Sequence, residues 1–242
     1  MTDRLYATDA YLEVCDARVV AVTSLGVVLD RTVAFARGGG QPGDTGFLTT
    51  DAGGLAIVDT FTDRESGGVI HQLAEGAPPP LVGAPVRVAI DADRRRMIMR
   101  THTALHALSG IVYSQFGAKV TGGNMEAGGT ARMDFELDAI SQAFGQEVEQ
   151  RLNAALAEAH AVGVLFLPRA EALADPDLIR TKANLIPEHV DPIRVIDIEG
   201  IDKQADGGTH VRSTLEIGHV HVVKTESKGR ANKRMRIRLG DA

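Results

Sequence analysis

Two short segments combine histidine and carboxylate side chains at spacings that suit a metal ion. In "RTHTALHAL", His102 and His106 are four residues apart, so a helix would place both imidazoles on one face. In "ADGGTH", Asp206 and His210 are also four apart, and the glycines between them allow a tight bend. Zn²⁺ accepts both imidazole and carboxylate ligands. The simpler interpretations are a helix that carries two unrelated histidines and a surface turn in which Asp206 hydrogen-bonds to its own backbone.

Two features of the sequence exclude a zinc protease of the HExxH type and a site built from thiolates. A zinc protease of the HExxH type needs a glutamate directly after its first histidine, and Thr103 occupies that position. Cys15 is the only cysteine, which excludes an intramolecular disulfide and any site built from several thiolates. A metal ion would therefore have to rest mainly on His, Asp or Glu.

Three further segments are candidates for binding anions. The loop "RGGGQPGDTG" has backbone N–H groups suited to a phosphate, but it lacks the GK[ST] ending of a nucleotide-binding loop and any predicted helix after it. "KTESKGRANKRMRIR" holds seven basic residues and one glutamate, and "DRRRMIMR" adds four arginines. Such residues can neutralise nucleic-acid phosphates, or they can simply lie on a solvated strand face.

The elements that must position these residues differ between the two halves of the chain. Over residues 11–90, short β-branched runs are separated by Gly, Pro, Asp or Ser, a pattern that predicts a small β-barrel or sandwich. Beyond them, Asp91 or Asp93 can cap a helix whose apolar residues recur at helical spacing. We therefore predict two domains, 1–92 and 93–242.

The second predicted domain mixes helices and strands. A strand, "TARMDFEL", follows the first helix, and "SQAFGQEVEQRLNAALAEAHAVG" predicts a second, amphipathic helix that ends at Gly163. The later runs "VGVLFLP", "IRVIDIEG", "IGHVHVVKTES" and "NKRMRIRL" are typical of strands. The pattern predicts an α+β fold, with helices packed on a mainly antiparallel sheet.

Length and composition are those of a globular protein. The 242 residues suffice for one large or two modest domains, and 44% hydrophobic with 24% charged residues is ordinary for such proteins. No segment approaches the ~18 uninterrupted apolar residues of a membrane span, and the first residues lack an apolar signal core. We therefore expect a cytoplasmic protein with no membrane partner. The net charge of −6 argues against a general nucleic-acid coating protein.

Taken in order along the chain, these motifs resemble the editing domain of alanyl-tRNA synthetase and its free-standing relatives, the AlaX proteins. In the second half, "RTHTALHAL", "ARMDF" and "GGTHV" followed by "STLEIG" carry the resemblance; in the first half, "YLEVCDARV", "GVVLDRTVAFARGGGQPGDTG", "IVDTF" and "VIHQL" carry it. It extends from about Leu5 to Leu239. It implies the longer AlaX form, in which an N-terminal β-barrel precedes an α+β editing domain.

The resemblance also implies one zinc ion, held by His102, His106 and His210 together with residue 206. The family usually has cysteine at the fourth position, where this chain has Asp206. A carboxylate is an accepted zinc ligand with the same single negative charge as a thiolate. Its harder oxygen should reduce the preference for zinc and admit other divalent ions more readily. We therefore expect a functional but altered metal site.

The implied reaction is hydrolysis of the ester that joins serine or glycine to alanine tRNA, without ATP. His102 and His106, with Thr121 and Asn124 of "VTGGNME", are the candidate catalytic residues. The last two match polar residues that lie near the substrate in the family, although a plain glycine-rich turn would look the same. They are candidates for rewarding the serine hydroxyl, which alanine lacks.

Two more sets of residues are candidates, the first from the resemblance and the second from the basic charge of "KTESKGRANKRMRIR". A substrate-side role is implied for the glycine-rich loop, or the loop forms only a hairpin; its candidates are Gly38, Gly39, Gly40 and Gln41. The candidate tRNA-binding residues are Lys224, Lys228, Arg230, Lys233 and Arg234. Two other functions stay open: a non-catalytic tRNA-binding relative whose ligand set has decayed, and a metal-dependent hydrolase of a small ester or amide.

Overall fold

The computed structural model describes residues 2–179 and 186–240. The chain divides into two compact units between Ile98 and Met99. The division into two domains predicted from the sequence, 1–92 and 93–242, remains a prediction. The α-helices are α1 (Ala92–Phe116), α2 (Gln142–Leu156) and α3 (Arg169–Ala174), and short 3-10 helices cover Leu5–Ala7, Pro176–Leu178 and Thr214–Ile217.

The first unit is built on a closed antiparallel β-barrel. Its strands are β1 (Asp3–Arg4), β2 (Val14–Thr23), β3 (Gly26–Leu29), β4 (Arg31–Thr32), β5 (Gly46–Thr50), β6 (Gly53–Thr62), β7 (Val69–Leu73) and β8 (Pro85–Ile90). Six of them close the barrel in the order β2-β3-β7-β6-β5-β8, while β1 pairs in parallel with β4. Alternate residues fill the interior, as in β8, where Val86, Val88 and Ile90 are buried. The predicted N-terminal barrel is confirmed.

Arg95, in the first turn of α1, forms a buried ion pair with Asp44 inside this unit. Its Nε lies 3.1 and 3.0 Å from the two carboxylate oxygens, and its other nitrogens donate to the carbonyls of Ala10 at 2.8 Å and Val33 at 2.7 Å. Asp44 also accepts the Phe35 N–H at 2.6 Å. Burial of the pair is tolerated because all three guanidinium nitrogens have partners. Part of the glycine-rich motif therefore fixes the start of α1.

The second unit contains two antiparallel sheets. Its strands are β9 (Val120–Met125), β10 (Thr130–Phe135), β11 (Val162–Leu167), β12 (Ile193–Ile198), β13 (Asp202–Ala205), β14 (Val220–Ser227) and β15 (Lys233–Leu239). One sheet has the order β14-β15-β10-β9 and the other β11-β12-β13. Helix α2 lies along the edge strand β14, where the Asn153 amide bonds both the N–H and the C=O of Val220. The predicted α+β fold is confirmed.

The predicted end of the second helix at Gly163 is wrong. Helix α2 ends at Leu156, Ala159 takes a left-handed conformation with φ of 62°, and Gly163 lies inside β11, opposite Asp197 of β12. Pairing with β12 therefore outweighs the helical pattern of the preceding residues. Within the described ranges, no helix has both the length and the apolarity needed to cross a bilayer.

His71 of β7 is a buried polar residue in the barrel. Its Nδ1 donates to the Val27 carbonyl at 3.1 Å, and its Nε2 lies 2.7 Å from the Thr32 hydroxyl. Burial lowers the pKa of His71 to about 4, so the ring is neutral in the folded protein at pH 7. The unfolded chain, whose histidine pKa is near 6.5, takes up this proton first as the pH falls.

Stability should therefore be lost as the pH falls from about 6.5 toward 4, and His71 should supply part of that loss. Between pH 7.5 and pH 5 its contribution should be about 2 kcal/mol of unfolding free energy. Urea unfolding of His71→Gln should show a pH dependence weaker by this amount than that of the wild type, whereas His189→Gln, at an exposed position, should show no such change. Equal pH dependence in all three proteins would contradict the assignment.

Candidate metal centre

Helix α1 carries His102 and His106 into the interior of the second unit. The Asp91 carboxylate caps the helix by accepting the Arg94 N–H at 3.0 Å, as predicted. Every residue from Ile98 to Gly110 is buried, including the polar ones. Both imidazoles thus lie on a segment of α1 that is buried throughout.

Gly110 allows close contact between this helix and the turn before β13. A Cβ atom at position 110 would lie 2.3 Å from the carbonyl oxygen of Ile201 and 3.0 Å from the Asp202 side chain. Glycine in a helix interior normally costs ~1 kcal/mol relative to alanine. Here it lets Asp202 approach His106.

The other two residues come from the loop after β13. Asp206 is mostly buried, with 16% of its side chain exposed, and its Oδ2 accepts the Gly208 N–H at 2.5 Å. The chain bends at Gly208 although neither Gly207 nor Gly208 has a positive φ, and the Asp206 carboxylate holds this bend through its bond to the Gly208 N–H. The loop brings His210 against α1, with its ring stacked 4.4 Å from that of His102.

The four side chains converge on one point. Asp206 Oδ1 lies 3.7 Å from His102 Nε2 and 3.9 Å from His106 Nε2, and Asp206 Oδ2 lies 3.0 Å from His210 Nε2. Ligand atoms of the four residues all lie within 4.8 Å of one another. Ligands about 2.0–2.2 Å from a tetrahedral zinc ion are separated by about 3.3–3.6 Å. The observed spacings lie around this value.

Hydrogen bonds on the far side of two rings fix which nitrogen faces the centre. His106 Nδ1 donates to Asp202 Oδ2 at 3.0 Å, and the same oxygen accepts the Gln204 amide at 2.8 Å. Because Asp202 is fully buried, this bond holds the ring firmly. The Nε2 lone pair of His106 therefore points toward Asp206.

Thr103 does the same for His210. Its hydroxyl donates to the Met99 carbonyl at 2.8 Å and accepts the Val211 N–H at 3.2 Å. Since the hydroxyl proton is committed to Met99, His210 Nδ1, 3.2 Å away, must donate to Thr103. Two acceptors, His210 Nε2 and Asp206 Oδ2, then face each other at 3.0 Å, an arrangement that a cation stabilises.

The surroundings of the site keep Asp206 ionised and the His102 and His210 rings neutral at pH 7. Burial lowers the pKa of His102 well below its usual range and that of His210 to about 4. Burial would raise the pKa of Asp206, but its contacts with the imidazoles of His102 and His210 hold it well below its ordinary value. For His106, the Asp202 hydrogen bond and the nearby carboxylates outweigh burial and raise the pKa. An ionised carboxylate thus lies among three imidazoles, of which His106 has a raised pKa.

Arg194 of β12 also borders the centre. Its guanidinium donates to the Asp206 carbonyl at 2.9 Å and lies 3.9 Å from the Asp206 carboxylate. With 9% of its side chain exposed, it places a fixed positive charge beside that carboxylate and favours its ionised form.

The other predicted site residues lie elsewhere in their units. Thr121 and Asn124 are exposed on β9, and the Thr121 hydroxyl donates to the Asn232 amide oxygen at 2.9 Å. In the barrel unit, Gly38 and Gln41 pair through two backbone hydrogen bonds of 3.1 and 2.9 Å. The two residues between them, Gly39 and Gly40, have φ of 59° and 84°, which is the pattern of a two-residue hairpin turn.

The predicted basic residues form a charged face on the sheet of β14, β15 and β10. The pairing register sets Arg236 beside Lys224 and Arg234 beside Glu226. Glu226 accepts from Arg236 at 2.8 Å, and Lys224 and Lys228 lie 3.2 and 3.4 Å from it.

The other two predicted tRNA-binding residues, Arg230 and Lys233, differ in environment from these. Arg230 is exposed, whereas Lys233 is buried and donates to the Gly229 and Arg230 carbonyls at 2.6 and 3.0 Å. Arg234 is engaged by Asp134 through two bonds of 2.7 and 2.9 Å. Lys233 thus supports the hairpin that presents the others.

Comparison with known proteins decides the family. Residues 193–236 match the model of the threonyl and alanyl tRNA synthetase second additional domain. The chain is 34% identical over 246 residues to the alanyl-tRNA editing protein AlaX-M of Methanosarcina mazei, covering 100% of this chain and 98% of the relative. It is 35% identical to AlaX-M of Saccharolobus solfataricus, covering 97% and 98%. This chain belongs to the AlaX-M family.

The AlaX-M chain also aligns with a much larger enzyme. It is 34% identical over 227 residues to the alanine–tRNA ligase of Pyrococcus furiosus, which covers 93% of this chain and 24% of the ligase. The resemblance drawn from the motifs is therefore confirmed, including its extension into the barrel.

Three residues that orient the histidines of this centre were not predicted as site residues: Asp202, Gln204 and Thr103. Asp202 and Gln204 are buried and alternate with the half-buried Lys203 and Ala205 on β13, a period-two pattern too short to predict a strand. Thr103 was used only to exclude a protease. Their hydrogen bonds orient His106 and His210.

Asp202→Asn should weaken zinc binding about 10–100-fold, because a neutral amide holds the His106 ring less firmly and makes its Nε2 less basic. Competition titration with a zinc-binding dye would measure the affinity. Asp197→Asn is the matched control, since Asp197 is partly exposed on β12 and pairs with Lys203 at 3.9 Å. Unchanged affinity in folded Asp202→Asn would contradict the role given to this hydrogen bond.

Proposed function

We propose that this protein is a metal-dependent deacylase that hydrolyses the ester between serine or glycine and alanine tRNA, acting in trans in the cytoplasm. Its full-length relationship to proteins named for alanyl-tRNA editing supports the substrate class. The observation that carries the proposal is the convergence of three imidazole Nε2 atoms on the Asp206 carboxylate.

The donor set fits a zinc ion. Three neutral imidazoles and one carboxylate are accepted ligands, and the site would carry the charge of a thiolate site. His102, His106, Asp206 and His210 would hold the ion. Because oxygen is a harder donor than sulfur, we expect this centre to accept other divalent ions more readily than a site containing cysteine.

The reaction requires little covalent chemistry from the protein. An aminoacyl ester is already activated, so the enzyme mainly positions a water molecule and stabilises the developing oxyanion. A bound divalent ion can polarise the carbonyl, lower the pKa of a water or orient the substrate. His106 and His210 are held by bonds to Asp202 and Thr103, so their Nδ1 protons serve orientation.

Selectivity against alanine would come from polar groups that reward the serine hydroxyl. A site built to bond a hydroxyl discriminates against a substrate that lacks it, because its own polar groups are then left unpaired. Thr121 and Asn124 remain our candidates for this role, because both side chains are polar and exposed on one strand. The turn of Gly38, Gly39, Gly40 and Gln41 is our candidate for the substrate-side loop.

Deacylation of alanine tRNA charged with serine, glycine or alanine tests the proposal. The wild type should release serine or glycine but spare alanine, and His106→Ala should lower kcat/KM at least about 100-fold because a central ligand is missing. His189→Ala, at an exposed position, should leave activity unchanged.

The remaining outcomes distinguish the alternative functions. Tight tRNA binding without turnover by metal-loaded wild type would favour the non-catalytic binder. Hydrolysis of free esters but not of charged tRNA would favour the small-molecule hydrolase. Either result would contradict the proposed activity.

The charged face on β14, β15 and β10 is our candidate for contact with the tRNA backbone. It carries more cations than anions, because Glu226 is shared by three basic side chains and Asp134 by two; the cations are Lys224, Lys228, Arg236, Arg132 and Arg234. Exposed Arg230 would extend this face. Lys233 is the least suited of the predicted set, since its ammonium is already bound to two carbonyls.

If phosphates contact this face, tRNA affinity should fall steeply between 50 and 200 mM salt, and each lost contact should reduce the slope of log K against log salt by about one. Lys224→Ala and Arg236→Ala should each show the reduced slope in a filter-binding titration. Lys203→Ala, on the other sheet, is the control that should retain the wild-type slope. A salt-independent affinity would rule out the phosphate contacts.

A further inference from the structure

A second group of potential metal ligands lies at the start of β14, away from the residues of the first centre. Glu149, His219 and His221 offer ligand atoms that all lie within 4.8 Å of one another. Glu149 Oε1 is 3.4 Å from His221 Nδ1, and the two imidazole ring centroids are 4.5 Å apart. Ligands of a tetrahedral zinc ion are separated by about the same distance as this oxygen and nitrogen.

Helix α2 and the start of β14 bring these three residues together. His219 and His221 are two apart at the start of an extended strand, with buried Val220 between them, so their side chains project on the same side. Glu149 comes from α2, which covers the edge of β14. One ligand therefore comes from the helix, one from β14 and one from the residue directly before β14.

The Glu149 carboxylate is oriented in the same way as that of Asp206. Its Oε2 accepts the backbone N–H of Val222 at 2.7 Å, which leaves Oε1 toward His221. The contact between Oε1 and His221 Nδ1, at 3.4 Å, is longer than an ordinary N–H···O hydrogen bond of about 2.7–3.2 Å. One oxygen is thus anchored by backbone and the other is available to a ligand.

We propose that Glu149, His219 and His221 form a second, solvent-accessible binding site for a divalent transition-metal ion such as Zn²⁺. Two imidazoles and one carboxylate are a ligand set that zinc uses when water completes its coordination. Imidazole nitrogen selects zinc-like ions over Mg²⁺ and Ca²⁺, which prefer oxygen. A bound ion would connect α2 to the edge strand of the sheet.

This surface site should bind more weakly than the buried centre. The side chains of His221 and Glu149 are 44% and 26% exposed, and the ligands can move more freely than those packed inside the unit. Arg238 lies opposite His221 in the β14–β15 register and adds an unfavourable positive charge. The site does not depend on the proposed deacylase activity, since it shares no residue with the first centre.

Zinc binding by untagged protein, stripped with chelator and then dialysed against buffered Zn²⁺, tests the inference. His219→Ala and His221→Ala should each bind one zinc ion per chain fewer than the wild type. His189→Ala should bind as many as the wild type, because that exposed histidine belongs to neither group. Circular dichroism of each variant checks that the lost zinc binding is not caused by loss of folding.

The test compares the zinc bound per chain by each variant with that bound by the wild type, so it does not require the first centre to bind metal. A folded His219→Ala protein that binds as much zinc as the wild type, up to millimolar free Zn²⁺, would overturn the inference. An equal loss in His189→Ala would do so as well, since it would indicate nonspecific binding to exposed histidines. Replacement of Zn²⁺ by Mg²⁺ should abolish the difference between wild type and His219→Ala.

Discussion

Three imidazole nitrogens directed at one carboxylate in a largely enclosed space are the constraint that the second unit must satisfy. Lone pairs and a negative charge, brought together away from water, require a cation or else compensating hydrogen bonds. The protein directs the protons of His106 and His210 outward, to Asp202 and Thr103, and so leaves both Nε2 atoms facing Asp206. Much of the surrounding structure serves this orientation.

Several local features make sense as support for the centre. Burial of the whole segment 98–110 of α1 allows its polar side chains to be surrounded by partners. Gly110 permits the close approach of β13. The carboxylate of Asp206 has two functions, because one oxygen closes the turn through Gly208 while the other faces His102 and His106. A cysteine could not close the turn in the same way, since it lacks a second acceptor atom.

The sequence predicted the fold class, the barrel and the four converging residues, because each depends on local patterns or on several motifs in a fixed order. It failed where long-range pairing decided the outcome. The helical pattern after Leu156 yields to the pairing of β11 with β12, and β13 was hidden by its short length. Asp202 and Arg194 are recognisable only once β12 and β13 lie beside α1, since neither is near the histidines in sequence.

The central claim is that Asp206 binds the metal as an oxygen ligand in place of a thiolate. A crystal structure of the zinc-loaded protein, with anomalous data collected on both sides of the zinc edge, tests it most directly. We expect a strong anomalous peak at this centre, about 2.0–2.2 Å from the Nε2 atoms of His102, His106 and His210 and from one Asp206 carboxylate oxygen. A zinc ion bound by the three histidines and water, with both Asp206 oxygens beyond bonding distance, would contradict it.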